Sequence, residues 1–136
     1  MVRRLSAGRM RRLLLEQKND NDDTTYIIKF YNNKCHYCRE LHDKYIELSE
    51  AKANEGFIFC AFNVWDDPSI EKMLNFKGVP TIGLVSRKRN KVTRIDIMGE
   101  PATPDSLTYY TKEHIQKFLN THGSGDYQPP KNGKTK

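Results

Sequence analysis

Residues 26–38 have the sequence YIIKFYNNKCHYC, in which a run of strand-forming residues leads through a short polar turn to two cysteines separated by two residues. The aromatic and β-branched residues of Tyr26–Tyr31 predict a β-strand. From Cys35 onward, apolar residues recur at helical spacing, which predicts an amphipathic helix that ends before Gly56. Cys35 is therefore predicted to lie where a strand gives way to a helix.

The chain beyond this helix continues to alternate between strands and helices. Phe57–Val64 is almost wholly apolar, which predicts a strand covered on both faces. Asp66-Asp67-Pro68 supplies a cap and a proline suited to the start of the next helix, before Gly78 ends it. The apolar stripe of that helix would be Ile70, Met73 and Leu74.

The last third of the chain predicts a hairpin and a final helix. Thr81–Val85 and Val92–Ile97 flank the polar sequence SRKRNK, and a loop over 100–110 precedes a helix capped by Thr111. Strands that alternate with helices indicate an α/β domain with helices on both faces of a central sheet.

The net charge of +6 is concentrated at the two ends of the chain. Residues 1–18 carry a net charge of +5, residues 121–136 carry +2, and residues 19–120 carry −1. We therefore predict a basic N-terminal helix or arm over 1–18, a folded domain over 19–122 and a polar tail over 123–136. The near-neutral body gives little support to a folded nucleic-acid-binding surface, so we argue for no specific nucleic-acid or membrane partner, while contact of the basic arm with nucleic acid or an anionic membrane stays open. We expect a monomer.

The cysteine count favours a reducing compartment. One close pair and a lone Cys60, which we expect to be an inert core residue, form a poor disulfide framework for a secreted domain, so we expect a cytoplasmic protein. The first 15 residues are Arg-rich and contain no acid, which leaves a mitochondrial presequence as an alternative. The Asn- and Lys-rich composition leaves a virion as a further alternative.

The position of the cysteine pair favours thiol–disulfide exchange. A helix N-terminus stabilises negative charge, and Lys34 and protonated His36 would add positive charge beside Cys35. Cys35 would then be the exposed nucleophile, and Cys38, one turn further on, the shielded resolving thiol. Such a dithiol needs no bound cofactor.

Two other roles for the pair remain open. A zinc site would have to combine the cysteines with His36 and His42, but no second Cys-x-x-Cys or His pair follows, and we predict no metal. A purely structural disulfide would constrain the unfolded chain very little, because it closes a two-residue loop. A different class of function is a protein-binding module whose thiols are incidental.

The order of these motifs resembles the thioredoxin superfamily over about residues 24–120. KFYNNKCHYC (29–38) looks like the family's segment from strand to active site, and FNVWDDPSIEKMLNFKGVPT (62–81) resembles its segment leading to the cis-proline. The resemblance implies a thioredoxin-like fold with a central mixed sheet flanked by helices on both faces. It also implies that Pro80 is cis, that Val79 offers backbone groups to a disulfide-containing protein substrate, and that an upstream redox protein recycles the pair.

Several positions depart from the family pattern. Lys34 replaces the usual aromatic residue before the first cysteine, Lys29 replaces a buried acid, Ala61 replaces a lysine, and no first strand is evident before residue 19. Lys29 is either a desolvated base or an ammonium that reaches solvent, and we prefer the second. His36 either stabilises the Cys35 thiolate or lies exposed on the helix, while His42 is expected on the helix surface.

Overall fold

A computed structural model describes residues 1–15, 24–51, 56–89 and 91–98. The elements in these ranges are β1 (Val2–Leu5), α1 (Ala7–Leu13), β2 (Thr24–Tyr31), α2 (His36–Ala51), β3 (Phe57–Asn63), a 3-10 helix (Val64–Asp66), α3 (Ser69–Leu74), β4 (Thr81–Lys88) and β5 (Lys91–Met98). Several predictions lie outside them: the loop over 100–110, the helix from Thr111, the tail over 123–136, and the boundaries after residues 18 and 122. No helix in the described ranges has the length and hydropathy needed to cross a membrane.

The strands form one mixed sheet in the order β1-β3-β2-β4-β5. β1, β3 and β2 run parallel, β4 is antiparallel to β2, and β5 closes the predicted hairpin with β4. β3 therefore lies between two strands, which accounts for its almost continuous apolar sequence.

Alternation along β2 divides the core between the two faces of the sheet. Ile27 packs with Leu41, Tyr45 and Leu48 of α2 on one face. Ile28 and Phe30 belong to a second cluster on the opposite face, together with Met10 and Leu13 of α1 and Ile70 and Leu74 of α3. The predicted architecture, a central mixed sheet with helices on both faces, is confirmed. Met73, predicted on the apolar stripe of α3, is instead 58% exposed.

The first residues of the chain differ from the predicted basic helix or arm, because they add a strand to the sheet. β1 pairs with β3 from Val2 opposite Phe59 to Leu5 opposite Phe62. In this edge strand, Arg3 and Arg4 are exposed while Val2 and Leu5 are half-buried. The strand is short and half its residues are arginines, and these features concealed it in the sequence.

α1 is anchored to the sheet from its C-terminal end. The Arg87 guanidinium, only 2% exposed on β4, donates hydrogen bonds to the backbone carbonyls of Leu13 and Leu15. A cation at this position satisfies carbonyls that a helix C-terminus leaves unpaired. The polar turn that the sequence predicts for the hairpin includes Arg87, but β4 extends past this residue to Lys88.

Candidate active site

The two cysteines are presented by a turn between β2 and α2. Within this turn, the Asn32 side-chain oxygen accepts a hydrogen bond from the Lys34 backbone N–H at 2.9 Å. The Asn32 carbonyl accepts one from the Cys35 N–H at 3.4 Å. These local bonds satisfy the backbone as it leaves the sheet, so α2 begins at His36 directly after Cys35.

A pair of asparagines fastens the same turn to the neighbouring strand. The side-chain amide of Asn63, at the end of β3, donates to the Asn33 side-chain oxygen at 3.0 Å. The Asn63 oxygen in turn accepts from the Trp65 backbone N–H at 3.0 Å. The position of the turn is thus set by the carboxyl ends of two parallel strands.

Cys35 and Cys38 are joined by a disulfide bond, with 5.2 Å between their Cα atoms. Cys35 is half-buried, whereas Cys38 is only 4% exposed. The Cys38 backbone N–H donates to the Cys35 sulfur at 3.0 Å. In the reduced pair, an amide in this position favours a Cys35 thiolate. The geometry therefore provides one accessible sulfur at the helix start and one shielded sulfur behind it.

Lys34 and His36 lie on the solvent side of the pair. Both residues are exposed, and the His36 side chain retains 69% of its accessible surface. His36 Nε2 lies 3.1 Å from a carboxylate oxygen of Glu40, one turn along α2, and its ring meets the edge of Tyr37. Of the two roles considered for His36, the structure shows the exposed position on the helix.

Val79 and Pro80 lie at the same end of the sheet as the cysteines. The Val79–Pro80 peptide bond is cis. Thr81, the next residue, pairs with Phe30 near the end of β2, so Pro80 lies close to the level at which β2 leads into the active-site turn. Val79 is 8% exposed and belongs to the same apolar cluster as Cys38.

Lys29 is buried, so the preferred prediction that its ammonium reaches solvent is wrong. It lies on the α2 face of β2, two residues from Ile27, and is 4% exposed. Its Nζ is 2.8 Å from Nδ1 of His42 and 5.5 Å from the ring centroids of both Tyr31 and Tyr45. Burial lowers the pKa of Lys29 to about 8. Burial and the nearby Lys29 charge lower the pKa of His42.

An open cavity of about 700 Å³ is lined by both this lysine and Cys38. Its lining residues are Val2, Arg4, Lys29, Tyr31, Asn32, Asn33, Cys38, Arg39, His42, Ile46 and Ala61. None of these described residues is Asp or Glu. Ala61 stands opposite Lys29 in the β2–β3 register, and its small side chain leaves the space open. The site thus has a cationic cavity behind the shielded cysteine.

Two contributions to this site were missed in the sequence. His42 is exposed on α2, as expected, but its contact with Lys29 was not predicted, although His42 follows Cys38 by four residues and so lies on the same side of the helix. That spacing was the signal that could have found it. The second is the hydrogen bond between the side chains of Asn33 and Asn63, which lie 30 positions apart, so no local sequence pattern predicts it.

Nothing in the described part of the chain supports the zinc alternative, because no three His, Cys, Asp or Glu side chains converge there. Cys60 is a free thiol inside β3, and burial raises its pKa to about 11. Its burial is as the apolar sequence of this strand predicted, and a thiol that is buried and protonated is expected to react slowly.

Comparisons with known proteins agree with this fold. The thioredoxin family model matches residues 14–113. The Trx4 domain of ERdj5 superposes with a TM-score of 0.66 at 12% identity, covering 88% of this chain and 92% of that domain. Thioredoxin f2 in complex with ferredoxin:thioredoxin reductase gives 0.62 at 18%, covering 90% and 96%. Mitochondrial thioredoxin 3 from Saccharomyces cerevisiae gives 0.59 at 19%, covering 88% and 93%.

These structural similarities, at low sequence identity, concern the fold alone. No curated protein matches the chain significantly. The family match, however, spans well over half of the sequence and includes both cysteines and the cis-proline. The chain therefore belongs to the thioredoxin family.

Proposed function

We propose that this protein is a thiol–disulfide oxidoreductase that acts on disulfide-containing proteins. The observation that carries the proposal is the Cys35–Cys38 disulfide at the start of α2, with one sulfur accessible and the other shielded. This asymmetry gives the two thiols different tasks. The accessible thiol meets the substrate, and the shielded thiol reacts only within the protein.

The reaction transfers two electrons in two exchange steps. The Cys35 thiolate attacks a substrate disulfide, forms a mixed disulfide and releases the first substrate sulfur as a thiolate. Cys38 then loses its proton and attacks the Cys35 sulfur, which releases the second substrate sulfur and closes the Cys35–Cys38 disulfide. The substrate is reduced and the pair oxidised, and the reverse sequence oxidises a substrate dithiol.

The substrate platform in this proposal is the segment around the cis-proline. Val79 and Pro80 directly precede β4, and their backbone groups can pair with an extended substrate strand. Lys34, which directly precedes Cys35 and is exposed, would tune the reactivity of Cys35 through its positive charge.

Recycling of the pair requires a second redox protein. One solved structure similar to this chain is a thioredoxin in complex with its reductase, which supports a protein reductant as the class of partner. We propose a cytoplasmic location, on the ground of cysteine usage.

A protein-disulfide reduction assay tests the proposal. The wild type should reduce a model protein disulfide in the presence of a dithiol regenerant, and Cys35→Ser should fall to the uncatalysed rate because the attacking thiolate is gone. Cys60→Ala is the matched control, since that thiol is buried and takes no part in the disulfide. A wild type no faster than Cys35→Ser would refute the enzymatic role.

A trapping experiment separates this function from that of a binding module with incidental thiols. Cys38→Ser should accumulate mixed disulfides with substrate proteins, because the resolving step is blocked. Partner binding that survives replacement of both cysteines would instead favour the module.

A further inference from the structure

In the proposed reaction, the thiol proton of Cys38 still needs an acceptor. Cys38 must give up its thiol proton as it attacks the mixed disulfide, and its 4% exposure restricts direct contact with bulk water. Of the side chains that line the cavity with Cys38, the guanidinium groups of Arg4 and Arg39 do not serve as bases, and neither the asparagine amides nor the neutral phenol of Tyr31 is basic enough to take a thiol proton. Lys29 and His42 are the remaining candidates for a proton acceptor.

The geometry of these two residues favours a cooperative role. Lys29 Nζ lies 2.8 Å from His42 Nδ1, so an N–H of the lysine can be donated to the imidazole nitrogen. This hydrogen bond, together with the rings of Tyr31 and Tyr45, whose centroids each lie 5.5 Å from the amine, fixes the end of the lysine side chain. The amine is thereby held at the wall of the cavity that Cys38 shares.

The cavity supplies a path for the proton. Its volume of about 700 Å³ far exceeds the roughly 30 Å³ that one water molecule occupies in the liquid. Water in this space can connect the Cys38 thiol with the Lys29 amine. We propose that Lys29, held in place by His42, accepts the Cys38 proton through cavity water during the resolving step.

This transfer of the Cys38 proton to Lys29 rests on the proposed function. The neutral Lys29 amine takes up the thiol proton while the Cys38 sulfur forms its bond to the Cys35 sulfur. The Cys35–substrate bond breaks, and its electron pair leaves on the substrate sulfur. Lys29 returns the proton to cavity water before the next cycle, or to Cys38 when the reaction runs in reverse.

The electrostatic surroundings agree with a base at this position. The charged or titratable groups that face Lys29 are Arg4 of β1, Tyr31 of β2, and Arg39, His42 and Tyr45 of α2, while β3 contributes only Ala61. None of these carries a carboxylate that would hold the lysine as an ammonium. Burial brings its pKa from 10.5 to about 8, so a fraction of the amine is neutral near neutral pH.

A competing role for Lys29 makes the opposite prediction about its charge. As a permanent ammonium it would stabilise the Cys38 thiolate by Coulomb attraction, and the reaction would slow as Lys29 loses its proton. Lys29→Arg separates the two roles, because arginine keeps the charge but does not act as a base. Lys29→Met removes both the charge and the base.

Single-turnover reaction with one equivalent of the chromogenic disulfide DTNB resolves the step. The reduced protein should release two thionitrobenzoate ions in sequence, the first by Cys35 attack and the second by Cys38 attack. Cys38→Ser, which shows only the first phase, identifies the second. Lys44→Met is the matched control for Lys29→Met, because Lys44 is an exposed lysine on α2, the helix that carries Cys38.

In wild type and Lys44→Met, the second phase should accelerate with pH through an inflection near 8. In Lys29→Met and Lys29→Arg it should be about tenfold slower or more at neutral pH and lack that inflection, with the first phase unchanged. His42→Gln should shift the pH of this inflection, because it changes the group that is hydrogen-bonded to the Lys29 amine. Far-ultraviolet circular dichroism verifies folding, and Lys29→Gln serves in place of Lys29→Met if the latter unfolds.

Two results would overturn the inference. A second phase in Lys29→Met equal to that of the wild type would show that another group takes the proton. A Lys29→Arg protein with wild-type kinetics would assign the lysine a purely electrostatic role. Both outcomes are distinct from failure of the proposed function, in which protein disulfides are not reduced although both DTNB phases are normal.

Discussion

Lys29 and Tyr45 show how single polar groups are accommodated in the face of the sheet covered by α2. Both are buried among apolar neighbours, and each satisfies its polar end locally. The lysine uses the imidazole of His42. The tyrosine hydroxyl lies 2.9 Å from the Ile27 carbonyl and 2.7 Å from the Cys60 carbonyl, and it can donate to either. Tyr45 thus joins α2 to the two central strands.

Removal of this hydroxyl should lower stability. We expect Tyr45→Phe to reduce the free energy of unfolding by about 1–2 kcal/mol, because a fully buried hydrogen bond is lost with little change in shape. Urea denaturation gives the value directly. Tyr37→Phe, a half-exposed tyrosine of the same helix, should change it by only a few tenths. Equal losses in both variants would contradict the assigned role of Tyr45.

At the scale of residues, the sequence predicted the place of the cysteine pair between a strand and a helix, and, through the family resemblance, the cis bond before Pro80. It did not predict the burial of Lys29. A single lysine in an apolar strand suggests a solvent-reaching ammonium unless its partner is known, and the partner His42 lies 13 residues away on another element. Side-chain pairing across elements depends on packing, which no local pattern encodes.

Among the elements, α1 depends most on a contact from elsewhere in the chain. It has seven residues, too few for a helix to be stable by its own hydrogen bonds. Ser6 caps its beginning by accepting from the Arg9 N–H, and Arg87 binds the carbonyls at and beyond its end. The helix is therefore held at both ends.

Loss of the Arg87 anchor should destabilise the fold. Arg87→Ala removes a buried cation and leaves backbone carbonyls without their donor, so we expect a loss of about 2–3 kcal/mol in the free energy of unfolding. Lys88→Ala, at the exposed neighbouring position, is the control and should be nearly neutral. Urea denaturation measures both, and amide exchange in α1 should accelerate only in Arg87→Ala. Unchanged exchange would show that α1 is held by its apolar contacts alone.

The long periodic elements were predictable and the short ones were not. The sequence places β2, α2, β3 and the β4–β5 hairpin within a few residues of their observed bounds, since each repeats an apolar period several times. β1 offers only four residues, two of them arginines, which is too short for a period to emerge. Its assignment depends on pairing with β3, a contact distant in the sequence.

Across the whole molecule, α1 and the start of α3 are tied by an ion pair on the same face of the sheet. The Arg11 guanidinium donates to a carboxylate oxygen of Asp67, whose other oxygen accepts from the hydroxyl and backbone N–H of Ser69. The hydrogen bond from Arg11 is the main cause that lowers the pKa of Asp67 to about 2, and the hydroxyl of Ser69 adds to it.

This shift predicts how stability depends on pH. Because the pKa of Asp67 is lower in the folded state than its ordinary value of 3.8, its contribution is fully present above pH 4 and is lost as the pH falls towards 2. Asp67→Asn and Arg11→Met should both flatten this decline. Urea midpoints at about pH 6, 4 and 2.5 provide the measurement.

Glu50→Gln, on the exposed surface of α2, should keep the wild-type acid dependence. If Asp67→Asn declined as steeply as the wild type between pH 4 and 2, other carboxyl groups would have to account for the acid sensitivity.

The chain of hydrogen bonds from Asn33 through Asn63 to Trp65 has a practical consequence for spectroscopy. Trp65 is the sequence's single tryptophan, and its side chain is 50% exposed. Its backbone N–H is bonded to the same asparagine that fastens the turn before Cys35. Indole emission from this protein therefore originates at one position, two hydrogen bonds from the turn between β2 and α2 that precedes Cys35. Rearrangement of that turn between the oxidised and reduced states can be followed in native protein, without a dye or a label.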